Sequence, residues 1–295
     1  LKEDLQALAS PRFPIPTLAL NYDEHLASPS LTQYSLSPHL ELEQLALAMH
    51  IQGFRSTLVI SDTSSKSSQL SKTFTDFFQE HGGNIADSVV LDPSNTNISL
   101  EIAKTLGIRS SEARARSISR HVGETAKFIP QRRRDFDSIY VASSGKNARQ
   151  IVPILRYHFS GKTPIFSSSS VYDGHDDPDH NKDLNGVRFL DTPFITPSNK
   201  ARGTFSASLL EQIRAGYPDT YHERFRFYAL GLDAYLITQT SYLWEVMPSY
   251  LIPGSSGHIS KNQHAIIQRQ LSQLRFNQGR VKEDKSHLSL LTDWQ

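Results

Sequence analysis

Short apolar runs alternate with longer segments of helical spacing along most of this chain, and few folds accommodate that order. Strands separated by helices pair in parallel, so the pattern predicts an α/β architecture, a mainly parallel sheet with helices on its faces. The runs are Thr17 to Leu20, "STLVIS" (56–61), "SVVL" (88–91), "SIYVA" (138–142), "TPIFS" (163–167) and "GVRFLD" (186–191). Between them, apolar residues recur at helical intervals. Ser37 and Pro38 stand at the N-cap and first position of a helix carrying Leu42, Leu45, Ala46 and Met49, with Gly53 as its stop. Ser65 to His81 places Leu70, Phe74, Phe77 and Phe78 on one face before Gly82 and Gly83. Ile98, Ile102 and Leu106 mark a shorter helix, and Ala148 to Phe159 carries Ile151, Val152 and Leu155. Further helices are predicted around Phe205, Leu209 and Ile213 and over 224–244. A short helical stretch (Leu5, Leu8, Ala9) and a proline-rich loop precede the first strand. Residues 168–183 read as a long polar loop, 257–281 as short strands around turns, and 282–295 as a loosely held tail.

Lys plus Arg number 31 against 30 for Asp plus Glu, so no net field holds a nucleic-acid backbone or an anionic membrane across the whole surface. The chain has no cysteine, which excludes disulfides, thiolate metal sites, a cysteine nucleophile and lipid attachment within it. No apolar run approaches the roughly 20 residues that span a bilayer. The opening "LKEDLQALAS" has neither an initiator Met nor a signal-peptide core, and the chain reads as cut from something longer.

Motifs for catalysis are weak. "SGKTP" (160–164) holds the Gly-Lys-Thr of a phosphate loop, but Arg156 stands where a glycine is required, and the order helix-then-strand is reversed. "GHDDPDH" (174–180) offers histidines and aspartates to a metal, yet a proline-bearing polar loop of this kind reads as solvated surface. "PGSSG" lacks nucleophile-elbow spacing, and no dinucleotide fingerprint is present. Neither an enzyme, a cofactor nor a metal site is expected.

The basic stretch from Gly107 to Arg134 holds Arg109, Arg114, Arg116, Arg120, Lys127, Arg132, Arg133 and Arg134, diluted by Glu112 and Glu124. Phe128 is the single aromatic in it, which argues against stacking on single-stranded nucleic acid. Two readings stand: a surface for an acidic protein or a carboxylate-bearing polymer, and a solvated crossover loop. Arg132 and Arg133 are the candidate partner surface, while Arg134, next to Asp135, is expected to pair with a carboxylate at the start of the following strand.

"FYALGLDAYLI" (227–237), with Asp233 and Ala234, resembles the helix that returns the chain to the first lobe in type I periplasmic binding proteins. "LALNY", "RRRDFDSIYVAS", "LNGVRFLDTPFI" and "GHISKNQHAIIQRQLSQLRFNQGRV" are similar to stretches of the C-terminal domain of the LppC family of penicillin-binding protein activator lipoproteins. The last stretch matches at Gly257, Ile259, Ser260, Arg269, Leu271, Phe276 and Gly279. This resemblance implies a two-lobed, non-catalytic fold, with 1–36 and 194–268 as a partial first lobe and 37–193 and 269–295 as the second. Further strands and helices of that lobe, a helical-repeat region and a lipidated cysteine are expected ahead of Leu1. The implied setting is the periplasmic side of the outer membrane, on a monomer whose partner is a class A penicillin-binding protein, with peptidoglycan as a second candidate.

In such a fold the cleft lies at the carboxyl ends of the strands. That selects Asn21, Tyr22, Ser61, Asp62, Ser143, Ser144, Ser168 and Ser169. They are hydrogen-bonding groups with no arginine among them to clamp a ligand carboxylate. The leading expectation is therefore protein contact; the alternative is a solute receptor for an amino acid or cell-wall fragment.

Overall fold

The computed structural model describes residues 2–8, 15–23, 25–26, 28, 30–122, 128–195, 207–262 and 265–284. Ala9, Glu124, Lys127, Phe205 and the expected tail from residue 285 lie outside the described residues. In chain order the strands are β1 (Thr17–Ala19), β2 (Leu31–Gln33), β3 (Ser56–Asp62), β4 (Asn84–Leu91), β5 (Ser138–Ala142), β6 (Ile165–Ser167), β7 (Val187–Asp191), β8 (Ile252–Pro253), β9 (His258–Lys261), β10 (Ile267–Gln270), β11 (Ser272–Asn277) and β12 (Arg280–Glu283). The helices are α1 (Lys2–Leu8), α2 (Pro38–Ile51), α3 (Ser65–Glu80), α4 (Ile98–Thr105), α5 (Ile108–Val122), α6 (Gly145–Leu155), α7 (Pro178–Asn181), α8 (Ala207–Gly216), α9 (Pro218–Thr240) and α10 (Leu243–Val246).

Two compact units are formed. The first comprises Leu1–Gln44, Asp173–His175 and Leu190–Gln273, the second Leu45–Tyr172, Asp176–Phe189 and Leu274–Gln295. The second unit is built on a seven-stranded sheet in the order β12-β11-β7-β6-β5-β3-β4, parallel from β4 through β7. Every residue of β5 is buried, as expected of a strand covered on both faces. Leu70, Phe74 and Phe78 of α3 face the sheet, and the Phe74 ring stacks on Tyr140 of β5 with centroids 3.8 Å apart. Burial of each such side chain contributes roughly 1.5–3 kcal/mol. Ser64 caps α3 by accepting from Ser67 N at 3.2 Å. At the far end, Gln278 and Gly279 both adopt positive φ (52° and 71°), the two-residue turn that suits a right-twisted hairpin between β11 and β12. A Cβ at position 279 would stand 2.2 Å from Pro178 O, so this matched glycine is required by contact as well as by backbone angle.

In the first unit β1 and β2 pair in parallel, β8, β9 and β10 form an antiparallel sheet, and a bridge joins Gln33 to Ile266. Tyr34, Leu230, Leu236, Ile237, Trp244, Ile252, Ile259 and Ile267 make its core.

Several expectations change. The arginine-rich stretch is a loop only in part: residues 108–122 form α5, its inner line made of Ile108, Ser111, Ala115 and Ser119, while 128–134, with Arg132, Arg133 and Arg134, has no regular structure. Small residues on that line leave no strong apolar period, and arginine and alanine are good helix formers. The "polar loop" after β6 contains α7, whose N-cap Asp177 accepts from Asp179 N and His180 N, each at 3.1 Å, and it buries Asn181 completely. Asn181 Oδ1 accepts from Arg149 Nη2 at 2.7 Å, which satisfies its carbonyl in the interior. The long helix α9 runs from Pro218 to Thr240 with a kink at Arg224 (φ −116°, ψ 15°), so its main segment begins at the expected position and a further short turn precedes it. β2 and β8, of three and two residues, had no sequence counterpart.

Candidate functional site

The carboxyl edge of the second unit's sheet is organised around one carboxylate. Asp62 ends β3 and is buried; its Oδ1 accepts from Ser64 N (2.9 Å) and Ser64 Oγ (2.6 Å), its Oδ2 from Ser143 Oγ (2.8 Å) and Asn147 Nδ2 (2.9 Å). Ser64 is the N-cap of α3 and Ser144 that of α6, accepting from Asn147 N at 3.5 Å. One acid thus fastens two strand ends and two helix N-termini, where partial positive charge accumulates. Burial pushes the Asp62 carboxyl up, but the bonds from Ser64, Asn147 and Ser67 outweigh it and hold the group below the usual carboxylate range. The next strand joins through Ser170, whose Oγ donates to Ser143 O at 3.1 Å and lies 2.6 Å from Ser168 Oγ.

Six of the eight predicted cleft residues therefore share one edge. Ser61, Asp62, Ser143 and Ser168 are buried, Ser169 is half-buried and Ser144 is exposed. Asn21 and Tyr22 belong to the first unit. Both are half-buried, Asn21 Oδ1 accepts from Tyr22 N at 2.8 Å, and the Tyr22 ring lies 6.5 Å from His39.

The first unit has its own buried polar centre, which no local pattern announced. Asp233 of α9 accepts from Ser255 N (2.5 Å) with Oδ1, and from Ser256 N (2.7 Å) and Tyr34 Oη (3.1 Å) with Oδ2. Tyr34 Oη also meets Ser256 Oγ at 2.6 Å. A side chain at Gly254 would bring a Cβ within 2.8 Å of Asp233 Oδ2, so the "PGSSG" turn wraps this carboxylate and serves as its cradle. Burial pushes the Asp233 carboxyl above its ordinary value despite the bonds it accepts, and burial with the Asp233 charge pushes the Tyr34 phenol up. Nearby in the sequence, Arg226 grips Asp191 in a forked pair (Nε to Oδ1 2.9 Å, Nη2 to Oδ2 2.5 Å).

The three arginines before β5 are unequal. Arg133 Nη1 donates to Asp87 Oδ2 at 2.9 Å and its Nη2 to Asp135 Oδ2 at 2.5 Å; these bonds, that to Asp135 foremost, push its pKa up. The Arg132 guanidinium stands 4.7 Å from the centre of the Phe136 ring and donates to Arg133 O at 2.8 Å. The carboxylate partner expected of Arg134 falls to Arg133, which reaches forward two residues to Asp135, Nε to Oδ1 at 2.8 Å; Arg134 Nη2 donates instead to Gln131 Oε1 at 2.8 Å. In the "GHDDPDH" segment, His180 Nδ1 lies 2.7 Å from Asp177 Oδ2, and the His175 ring packs 5.1 Å from that of His222. Among the described residues no three His, Asp or Glu side chains gather around one point. No described helix is long and apolar enough to cross a membrane.

A mainly parallel sheet with hydroxyl-rich loops at its carboxyl edge is the architecture of the periplasmic-binding-protein-like class. The leucine-binding protein LivK of Thermotoga maritima superposes on it with a TM-score of 0.52 at 15% identity, covering 95% of this chain and 74% of that one. The family is narrower than the class. The sequence profile of the LppC lipoproteins matches residues 1–279, and the chain belongs to that family. The penicillin-binding protein activator LpoA of Vibrio cholerae is 24% identical over 262 residues, 88% of this chain and 42% of that protein. The C-domain of LpoA from Haemophilus influenzae, described as a regulator of PBP1A, superposes with a TM-score of 0.65 at 20% identity, over 96% of this chain and 80% of that domain. The chain thus spans less than half the length of the full-length relative.

Proposed function

We propose that this chain is the periplasmic-binding-protein-like part of a lipoprotein that binds a class A penicillin-binding protein at the periplasmic side of the outer membrane and stimulates peptidoglycan synthesis. The observation that carries the reading is the family match over residues 1–279, together with the activator name borne by the Vibrio relative. No chemistry is assigned to the chain: the relatives are named for activation of another protein. The carboxyl edge supports contact over catalysis or ligand capture, because Asp62 and Ser143 are spent on holding β3, β5, α3 and α6 together. Ser61, Ser144, Ser168, Ser169 and, in the first unit, Asn21 and Tyr22 are the other polar groups of the cleft reading, and Arg132 and Arg133 its candidate partner surface. Activation then follows from preferential binding to the active conformation of the synthase.

The test mixes the purified full-length lipoprotein with the class A synthase of the same organism and follows both binding and the rate of peptide crosslinking. A rate that rises with saturation of the complex is expected. A synthase that neither binds nor accelerates overturns the proposal, and a ligand-dependent rise in melting temperature with amino acids or muropeptides would favour the receptor alternative.

A further inference from the structure

The arginines at the strand edges are held by the protein itself. Arg133 is bound to Asp87 and Asp135, and Arg226 to Asp191. α5 differs. At about 100° per residue, Arg109, Arg116 and Arg120 fall within about 40° of one another on the helix, roughly 10 and 6 Å apart along its axis. All three are exposed, on a flank away from the inner line of Ile108, Ser111, Ala115 and Ser119. The one carboxylate on the helix, Glu112, approaches Arg116 at 3.9 Å with side chains 41% and 72% exposed, a geometry that binds little in water. Arg120 Nε donates to the Arg116 carbonyl at 3.4 Å.

We propose that this arginine stripe of α5 is the docking surface for a carboxylate-bearing face of the synthase, an inference that rests on the function proposed above. Charge complementarity selects that occupant: three guanidinium groups in a row recognise carboxylates repeated at helical or strand spacing. A lipid surface fits less well. The exposed aliphatics Ile118 and Val122 (58% and 65%) lie beside Arg114 on the opposite flank from these three arginines, and the helix carries no Phe, Tyr or Trp, whereas an interfacial helix sets a broad apolar face between its basic residues. A chain with formal net charge +1 adds no long-range pull toward an anionic membrane.

The experiment uses the full-length protein carrying R109E/R116E/R120E, with R109A/R116A/R120A as a second variant that keeps high helix propensity. Melting temperature and far-UV dichroism verify folding, and affinity for the purified synthase is measured at low and high salt, beside sedimentation with phosphatidylglycerol vesicles. The glutamate variant is expected to lose about tenfold or more in affinity at low salt, the alanine variant less, and both to show a flatter salt dependence than the wild type. Variants that bind the synthase like the wild type overturn the inference and leave the proposed function standing. A wild type that fails to bind the synthase overturns both. Arginine-dependent binding to vesicles with unchanged synthase affinity assigns the stripe to lipid and also overturns the inference.

Discussion

Among the buried aspartates, Asp62 in the second unit and Asp233 in the first both sit in serine-lined settings, and the two carboxylates respond in opposite directions. Asp62 collects donors from Ser64, Ser143 and Asn147 at the N-termini of α3 and α6, and its pKa falls. Asp233 collects two backbone N–H groups and a phenol, and its pKa rises. Both oxygens of each acid are bonded, so the presence of donors alone does not separate them. The balance with burial does: at Asp62 the bonds from Ser64, Asn147 and Ser67 outweigh burial, whereas Asp233, in mid-helix between Leu230 and Leu236 and against a core that includes Ile252 and Ile259, is desolvated more than its bonds from Ser256, Ser255 and Tyr34 offset. The same residue type thus serves as a charged clasp in one unit and as a costly but well-bonded anchor in the other.

The contrast is broken most directly by deleting each acid. Asp233→Ala takes the acceptor from Ser255 N and Ser256 N in the interior and leaves the Tyr34 hydroxyl with Ser256 Oγ as its partner. A loss of about 3–5 kcal/mol is expected for the first unit. Asp62→Ala costs about 2–3 kcal/mol in the second unit, because Ser64, Ser143 and Asn147 carry rotatable donors that can turn to one another or to solvent. Urea unfolding of the intact chain, with signals placed in each unit, measures both. A larger loss for Asp62→Ala than for Asp233→Ala would refute the ranking.

Acid sharpens the same comparison. Asp62, depressed in the folded state, contributes stability above its unfolded pKa that is lost as pH falls through the lower folded value. Asp233, raised, favours the folded state below its unfolded pKa and loses that contribution as pH rises through the higher folded value. Acidification from about pH 7 to pH 3 should therefore weaken the second unit through Asp62 while relieving the first through Asp233. Asp62→Asn and Asp233→Asn should flatten these opposite slopes in thermal unfolding. Slopes that change in the same direction would show that the two carboxylates are not opposed.

How far the sequence disclosed these centres depends on how local their causes are. β5 and α3 were legible because "SIYVA" is an uninterrupted apolar run and Leu70, Phe74 and Phe78 keep helical period. Asp62, Ser143 and Ser168 were reachable from the rule that loops after parallel strands carry sites, although burial turns the first two into a clasp. Asn147 and Ser170 were missed, since they act from a helix's first turn and from a short turn after β6, positions that the strand-end rule does not select. α5 was hidden by the serine and alanine on its inner line. Tyr34, Asp233 and Ser256 share no local pattern, the acid lying 199 positions along the chain from the tyrosine. Only the resemblance around "GLDAYLI" drew attention to Asp233, and it gave no physical role.

Tyr34→Phe is the gentlest way to probe the first unit. It removes one donor from Asp233 and leaves the two backbone N–H bonds that hold the Ser255–Ser256 turn. The hydroxyl is buried between Asp233 Oδ2 and Ser256 Oγ, so its loss should cost about 1–2 kcal/mol, less than either aspartate deletion. The informative readout is the pH dependence. Because the phenol's bond lowers the Asp233 pKa against the larger effect of burial, removing it should raise that pKa further. The first unit would then lose the contribution of protonated Asp233 at a higher pH than the wild type. A variant equally destabilised at every pH would mean that Tyr34 fills space beside the carboxylate without tuning it.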